Sequence, residues 1–346
     1  MSWPERADIA RRPSSAASWR AHAALVVVQA AFSVGAVEGK LAMKAPSLGG
    51  GGVDPFALAM ARMTGAAVFF QLLTRGARVL RPVSRPDLLR IGGLSILGIV
   101  LNQTLFLVGL RITTAFASAV LGVTIPVFTA ALAVAFRVEA ASGRTAIGLA
   151  LAIAGVLWLT GVGSLDFGAL AIAANCLCYS FYIVFSKRVI ERVGALTLVT
   201  WLFSWGAVLF APIGGPALVR GAVQWQPHTW ALVAVVVAVP TIVAYSANAW
   251  ALGRSSPTLV TVYIYLQPLL TALLQWIQLG EAVTARAVIA AALIFAGVIV
   301  VATRRQQLNA FVSRSSPSSS ASSGSDHATR KALGTPKKAP GETRTS

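Results

Sequence analysis

Apolar stretches of about twenty residues recur along this chain, and they constrain its fold more than any other feature. They follow one another from Ala24 to Ala302 with short polar breaks between them. A helix of about 20 residues crosses a hydrocarbon core about 30 Å thick, so repeated spanning is the simplest interpretation. We therefore predict an all-α integral membrane fold. Ten transmembrane helices are predicted, near residues 23–39, 55–74, 90–110, 114–136, 145–162, 167–186, 195–214, 229–252, 257–279 and 284–303.

The positive charge of the chain follows membrane orientation rather than nucleic-acid binding. The net charge is +18, yet only 12% of the residues are charged, and twelve of the 29 Lys and Arg lie in residues 1–21 and 304–346. Most of the others fall at the ends of predicted helices, as the positive-inside rule expects when the N-terminus is cytoplasmic. An even number of helices then puts both termini in the cytoplasm. The predicted partner is the lipid bilayer, and no nucleic acid is expected.

Four regions are predicted along the chain. Residues 1–21 form a cytoplasmic polar tail, residues 22–162 and 163–303 form two halves of five helices each, and residues 304–346 form a disordered, basic, Ser-rich cytoplasmic tail. A removable signal peptide is disfavoured, because no small-residue cleavage site follows a short apolar core. We expect the first helix to remain as an anchor.

An internal repeat supports the division into halves. Two sets of residues recur at fixed displacements. With a displacement of 142 residues, Pro126, Glu139, Arg144 and Gly155 match Pro268, Glu281, Arg286 and Gly297. With a displacement of 147 residues, Phe32, Ser33 and Lys40 match Tyr179, Ser180 and Lys187. Because each half has an odd number of helices, the second half must cross the membrane in the opposite sense. This is an inverted repeat, an arrangement typical of alternating-access carriers; duplication for stability alone is the other interpretation.

Polar residues within the predicted helices mark a candidate substrate path. The sixth helix carries the longest stripe, with Asn175, Tyr179, Tyr182 and Ser186 on one face. Three other helices carry shorter stripes, which are Gln29, Ser33 and Lys40 on the first, Thr241, Tyr245 and Asn248 on the eighth, and Tyr263 and Gln267 on the ninth. Polar groups inside a bilayer are expected to face the bundle interior or a wet cavity. The alternative is that they form hydrogen bonds between helices, at about 0.6 kcal/mol each.

Two charges and two prolines have further candidate roles. Glu38 and Arg62 fall at membrane depth, where each is a candidate for proton coupling or for binding a charged substrate group. Glu38 lies near a helix end, whereas Arg62 is closer to mid-span and suits recognition of a substrate carboxylate by its planar fork. Pro126 and Pro268 are placed within the fourth and ninth helices, where we predict hinges; static kinks that improve packing are the alternative.

Several segments resemble one family of membrane proteins. They are Leu101-Asn102-Gln103-Thr104-Leu105-Phe106, Phe116-Ala117-Ser118-Ala119, Ala135-Phe136-Arg137-Val138-Glu139 and, in the second half, Leu279-Gly280-Glu281 followed by Gly297. Over residues 22–305 the chain resembles the EamA-type drug/metabolite transporters, in particular their plant nodulin-like ("walls are thin"-related) branch. The resemblance implies ten helices in two repeats. It also implies transport of amino acids, auxin-like compounds or related small organic molecules across the plasma membrane or the vacuolar membrane.

The candidate substrate-binding residues combine the polar stripes, Arg62 and the family motif. They are Gln29, Arg62, Asn102, Asn175, Tyr179, Tyr182, Tyr245, Asn248, Tyr263 and Gln267. No metal site, cofactor or catalytic residue is predicted, because the three histidines are scattered and no acid–base constellation is recognisable. An integral membrane enzyme and a channel are therefore disfavoured. A nucleotide-sugar or phosphorylated-metabolite exchanger is the main alternative, although the ninth helix has no Lys or Arg for an anionic cargo. The oligomeric state is left open.

Overall fold

The computed structural model describes residues 15–136, 143–160, 166–252, 263–296 and 299. All regular secondary structure in these residues is helical, with no strand among them. Residues 303–346 form a unit separate from residues 1–302 and lie outside the described part of the chain. The sequence predictions for Glu139, Gly297 and the outer part of the N-terminal tail also lie outside it.

The described helices alternate with short turns. In the first half they are α1 (Ser15–Met43), α2 (Pro55–Gly76), α3 (Arg85–Ser95), a π-helical segment π1 (Ile96–Leu101), α4 (Asn102–Ile112), α5 (Ala115–Gly122), α6 (Ile125–Ala135) and α7 (Gly143–Thr160). In the second half they are α8 (Phe167–Val193), α9 (Ala195–Ala222), α10 (Pro227–Val237), a second π-helical segment π2 (Ala238–Val243), α11 (Ala244–Leu252), α12 (Leu266–Leu279) and α13 (Ala285–Ala296).

Seven helical stretches in the described residues are long and apolar enough to cross a membrane. They are Trp19–Met43, Pro55–Gly76, Arg85–Ile112, Ala115–Leu132, Phe167–Ser186, Ala195–Ala222 and Pro227–Asn248. Each coincides with one of the ten predicted helices. The other three predicted helices, near 145–162, 257–279 and 284–303, correspond to shorter described apolar segments, and the count of ten is not confirmed. The chain is an all-helical, multi-pass membrane protein.

Helix starts follow from local sequence signals. Asp54 precedes Pro55, and its Oδ1 accepts hydrogen bonds from the backbone N–H groups of Phe56 (2.8 Å) and Ala57 (3.3 Å). Asp166 caps α8 in the same way. A carboxylate at this position satisfies N–H groups that have no partner within the helix, and proline in the first turn loses no helical hydrogen bond. Acidic caps therefore set the starts of α2 and α8.

The main core lies where α2 packs along α9. Phe70 and Phe203 are fully buried there and stack with ring centroids 5.8 Å apart. A second buried cluster joins α5 and α6 to α8 and α13. At one crossing the backbones of α4 and α8 meet directly, since a Cβ at Gly109 would lie 2.6 Å from the carbonyl oxygen of Gly168. Small residues allow such close approach between membrane helices, where dispersion contacts drive association.

The two π-helical segments occupy equivalent places in the two halves. Ile96–Leu101 and Ala238–Val243 are six residues each and are displaced by 142 residues, the displacement found in the sequence repeat. Each packs against the first helix of the other half: Gly98 of π1 faces Tyr182 of α8, and Pro240 of π2 faces Gly35 of α1. The partners correspond by the two repeat displacements, with the larger and smaller residues exchanged. π-Helical turns are rare and occur frequently at functional sites.

The structure corrects the predicted setting of the two prolines. Pro126 and Pro268 lie in the first turns of α6 and α12, each just after a short turn at residues 123–124 or 264–265. Proline at the start of a helix removes no intrahelical hydrogen bond, so these residues do not kink a continuous helix. The interruption precedes them. Their role as hinges stays a prediction.

One end of the bundle, which we call the Lys40 end, is tied by a lysine. The Lys40 Nζ atom donates to the carbonyl oxygens of Leu110 (3.1 Å), Arg111 (3.0 Å) and Thr113 (2.6 Å). These carbonyls end α4 and lack partners within the helix. Lys40 therefore fastens the end of α1 to the end of α4.

Replacing Lys40 with methionine is expected to lower the free energy of unfolding by about 1–2 kcal/mol, because the last carbonyls of α4 lose a charged donor. Thermal unfolding of the purified protein in detergent measures this. Lys44→Met is the matched control, since the Lys44 ammonium makes no hydrogen bond within the described residues. Equal unfolding temperatures for the two variants would contradict the proposed role of Lys40.

The opposite end carries an ion cluster. Asp87 in the first turn of α3 lies 3.0 Å from Nη1 of Arg90 and 2.8 Å from Nη2 of Arg192 at the end of α8. The backbone N–H of Arg81 donates to the Thr197 hydroxyl nearby, at 3.2 Å. The two halves are therefore joined at both ends, by contacts that differ in chemistry.

Candidate functional site

Arg62 is the cation around which the candidate site is built. It lies on α2, is only 6% exposed, and donates from Nε to the hydroxyl oxygen of Thr241 at 3.0 Å. Within the described residues no carboxylate pairs with it. A charge at membrane depth is expensive unless it is paired or faces a wet cavity. The remaining N–H groups of the guanidinium form a fork suited to a carboxylate.

Three tyrosines gather beside Arg62. The rings of Tyr179 and Tyr182 on α8 are 5.6 Å apart, and both residues lie close enough to Tyr245 on α11 to interact with it electrostatically. Tyr245 in turn lies within electrostatic range of Arg62. The structure therefore brings together four of the predicted site residues, which come from α2, α8 and α11.

Phenylalanines support the Tyr245 ring from two sides. Phe203 of α9 meets it edge-on with centroids 5.0 Å apart, and Phe32 of α1 does so at 6.2 Å. Edge-to-face pairs of this kind stabilise an aromatic ring in one orientation. The orientation of Tyr245 is thus linked to the α2–α9 core through Phe203.

Asn175 and Asn102 are in direct contact, but the contact is structural. The Asn175 Nδ2 atom donates to the backbone carbonyl of Asn102 at 2.7 Å, which joins α8 to the first residue of α4. For Asn175 the interpretation as an interhelical hydrogen bond therefore describes at least one of its interactions. Asn248 lies three residues beyond Tyr245 on α11 and is partly exposed.

The remaining predicted residues lie along the contact between α1 and the region of α12. The Ser33 hydroxyl donates to the backbone carbonyls of Gln29 (2.8 Å) and Gln267 (3.1 Å), and the Gln29 side chain is buried. The Tyr263 hydroxyl is 2.6 Å from Nδ1 of His22. Tyr263 is thus held by the first helix, and no interaction with the tyrosine cluster is present in the described residues.

Sequence reasoning missed three participants. His22 lies seven residues before Gln29, a spacing that places it on the polar face of α1, and this signal was overlooked. Gln103 is 2% exposed, and neither amide atom has a partner in the described residues. It corresponds to Tyr245 by the displacement of 142, so the repeat could have identified it. Thr241 was recognised as polar, but nothing in the sequence links it to Arg62.

This arrangement is suited to binding a small organic molecule. Arg62 supplies positive charge, and the tyrosines supply aromatic faces and hydroxyl groups. In the part of the chain that the structure describes, no group of three or more His, Cys, Asp or Glu residues could hold a metal ion. The geometry therefore defines a buried polar and aromatic site inside a helical, multi-pass membrane protein.

Comparison with known proteins identifies the class. The model of the EamA-like transporter family matches residues 21–161 and 166–303, so each half matches it once. The chain belongs to the EamA-like transporter family, and its general activity is membrane transport. The resemblance inferred from the sequence motifs is confirmed.

Individual relatives agree with this assignment. An uncharacterized transporter of Archaeoglobus fulgidus is 26% identical, over 74% of this chain and 90% of that protein. A WAT1-related protein of Arabidopsis thaliana is 24% identical, over 80% of this chain and 82% of that protein. A solved crystal structure superposes with a TM-score of 0.53 at 20% identity, covering 83% of this chain and 98% of that one, which shows a shared fold.

Proposed function

We propose that the protein is an alternating-access carrier of small organic metabolites that bear a carboxylate, such as amino acids, auxin-like or related compounds. The observation that carries the proposal is Arg62, a buried cation without a protein carboxylate beside it in the described residues. A substrate carboxylate would complete this ion pair. The proposal includes ten transmembrane helices in two inverted five-helix halves, with both termini cytoplasmic, in the plasma membrane or the vacuolar membrane.

Desolvation explains why Arg62 favours an anionic group. A guanidinium taken out of water gains from a carboxylate that accepts two parallel N–H bonds, and such charge-assisted bonds are about twice as strong as neutral ones. Thr241 uses only Nε, so the Nη groups are the ones to meet a substrate. The site binds the carboxylate without itself undergoing chemistry.

The tyrosines favour a cargo with an apolar or aromatic body. Tyr179, Tyr182 and Tyr245 present ring faces close to the cation, and such residues line small-molecule sites with a few oriented polar groups. A charged head beside Arg62 and a flat body beside the tyrosines fit this environment together.

The sequence of the second half argues against a phosphorylated or nucleotide-sugar cargo. Residues 227–252 and 266–279, which include α10, α11 and α12, contain no Lys or Arg. A doubly charged phosphate calls for several cations, and Arg62 is the one supplied by α2 at depth. Membrane-enzyme activity is disfavoured because the named relatives are transporters.

Uptake into proteoliposomes tests the proposed function. The panel consists of labelled amino acids, indole-3-acetate and sugars, each with and without an imposed pH gradient. Saturable uptake of a carboxylate-bearing compound is the expected result. Dependence on the gradient would establish proton coupling, and indifference to it would establish facilitated diffusion. Uptake of sugars alone would contradict carboxylate recognition, and non-saturable flux would indicate a channel.

Alanine at Tyr179 is expected to raise the KM of the transported compound roughly 10-fold, because an aromatic contact and a hydroxyl are lost. Asn248→Ala and Asn175→Ala extend the test along the same lining, with the smaller effect at Asn175 because its amide bonds Asn102. Phe181→Ala is the control on α8, since that ring packs on Phe136 and Phe185. Unchanged kinetics in all three variants at normal expression would show that this lining is wrong.

A further inference from the structure

Both π-helical segments touch the candidate site directly. Thr241 lies within π2 and is fully buried. Its hydroxyl accepts from Arg62 Nε at 3.0 Å and donates to the carbonyl of Val236, five residues earlier, at 3.1 Å. A hydroxyl that both donates and accepts is held in one rotamer. Thr241 therefore connects the wide turn of π2 to the guanidinium.

The first segment meets the other side of the site. A Cβ atom added at Gly98 of π1 would lie 2.7 Å from Cγ and Cδ2 of Tyr182, which is closer than real Cβ contacts allow. The absence of a side chain at Gly98 therefore makes room for the Tyr182 ring. Gly93, five residues earlier, has open space where its Cβ would be, so the close approach is specific to π1.

The π turns also set the direction of the residues that follow them. One extra residue in a helical turn rotates everything after it by about 100° relative to everything before it. Asn102 and Gln103 follow π1, and Tyr245 and Asn248 follow π2. A regular α-helix over either segment would turn these side chains away from their present directions.

We propose that the two repeat-related π segments are positioning elements of the substrate site, with Thr241 directing the Arg62 guanidinium and Gly98 admitting the Tyr182 ring. The proposal rests on the proposed function of Arg62 in carboxylate recognition. Thr241 and Gly98 do not contact the cargo in this account. They act through Arg62 and Tyr182, one from each half of the repeat.

A charged probe and its neutral analogue test the Thr241 part. Indole-3-acetate and indole-3-acetamide have nearly the same shape and differ in charge, so the ratio of their affinities reports on the cation. Binding to the purified full chain in lipid nanodiscs is measured for the wild type, Thr241→Val, Thr241→Ser and Arg62→Gln. Thr200→Val is the control, because Thr200 is also fully buried and its hydroxyl bonds only its own helix, at Leu196.

Thr241→Val is expected to weaken binding of the acid roughly 10- to 100-fold, as loss of a hydrogen bond to a charged group does, while binding of the amide changes little. Thr241→Ser, which keeps the hydroxyl, is expected to retain the preference for the acid. A purely structural role for Thr241 would move both affinities together. Thr200→Val is expected to leave the ratio unchanged.

Gly98→Ala tests the other segment. It is expected to weaken both probes by a similar factor of roughly 10, because the Tyr182 ring must shift while the cation stays in place. Gly93→Ala, on the same stretch, is expected to bind both probes as the wild type does. Equal binding by the two glycine variants would overturn the part of the proposal that concerns π1.

The outcomes separate this inference from the proposed function. Loss of the acid preference in Arg62→Gln, with the preference kept in Thr241→Val, overturns the positioning role and leaves carboxylate recognition standing. An unchanged preference in Arg62→Gln, or no binding of either probe by the wild type, overturns carboxylate recognition and the positioning role with it. Loss in both variants with recovery in Thr241→Ser supports both.

Discussion

Replacing Arg62 with glutamine is expected to reduce uptake of a carboxylate-bearing substrate by on the order of 100-fold, while uptake of its neutral amide changes less than threefold. Removing one partner of a buried ion pair typically costs about 3 kcal/mol or more, and tenfold in affinity corresponds to about 1.4 kcal/mol. Glutamine keeps most of the packing volume and the polarity of the side chain. The difference between acid and amide therefore reports the charge rather than the fold.

Arg75→Gln is the matched control for this experiment. Arg75 lies in the last turn of the same helix, α2, and is exposed. The measurement is initial uptake in proteoliposomes at equal amounts of reconstituted protein. A parallel loss for the acid and the amide in Arg62→Gln would show that Arg62 supports the structure rather than the substrate.

Phe203→Ala is expected to lower the free energy of unfolding by about 3 kcal/mol, the low end of the range for truncating a buried phenylalanine. Phe203 is fully buried, stacks on Phe70, and meets Tyr245 edge-on. The cavity removes dispersion contacts from the α2–α9 core, and lipid cannot reach this position to replace them. Substrate affinity is expected to fall as well, because Tyr245 loses its support.

The thiol of Cys176 provides a direct readout of unfolding. Cys176 is 1% exposed, so in a Cys178→Ser background its reaction with a thiol-specific dye reports loss of the packed state. Val208→Ala is the control, because Val208 lies on the same helix and is 65% exposed. If Phe203→Ala and Val208→Ala unfolded at the same temperature, the α2–α9 contact would not be the main core.

The membrane class and the two halves were predictable because both depend on patterns along the chain. Apolar runs of membrane length are visible as composition, and the displacement of 142 residues is visible as matching letters. The same displacement recurs in the structure as π1 and π2, which no residue pattern in the sequence had marked. Propensity does not distinguish a π turn from an α turn, because the choice depends on packing against another helix.

The prolines show where local rules needed the structure. Pro126 and Pro268 were correctly identified as a repeat-related pair, but their setting was misjudged. An apolar run that continues through a proline predicts a kinked helix, whereas the chain ends one helix and starts another just before it. Hydropathy is the same in both cases, so the sequence alone does not separate them.

The polar stripes were only partly sufficient for the site. Helical spacing correctly placed Tyr179 and Tyr182 on one face of α8, and the mid-span position of Arg62 correctly marked it as buried. Spacing within one helix does not reveal which helix it will face. Tyr263 was grouped with the site by its residue type, and the structure pairs it with His22 instead.

The sequence by itself determined a helical membrane protein of two related halves that carries a buried cation and several polar stripes, because length, hydropathy and repetition are properties of the chain. Only the tertiary structure decided that Arg62 donates to Thr241, 179 residues away, and that Gly98 faces Tyr182. Such pairings follow from the packing of helices against one another. A hydrogen bond between distant residues forms only where that packing brings a donor and an acceptor to about 3 Å.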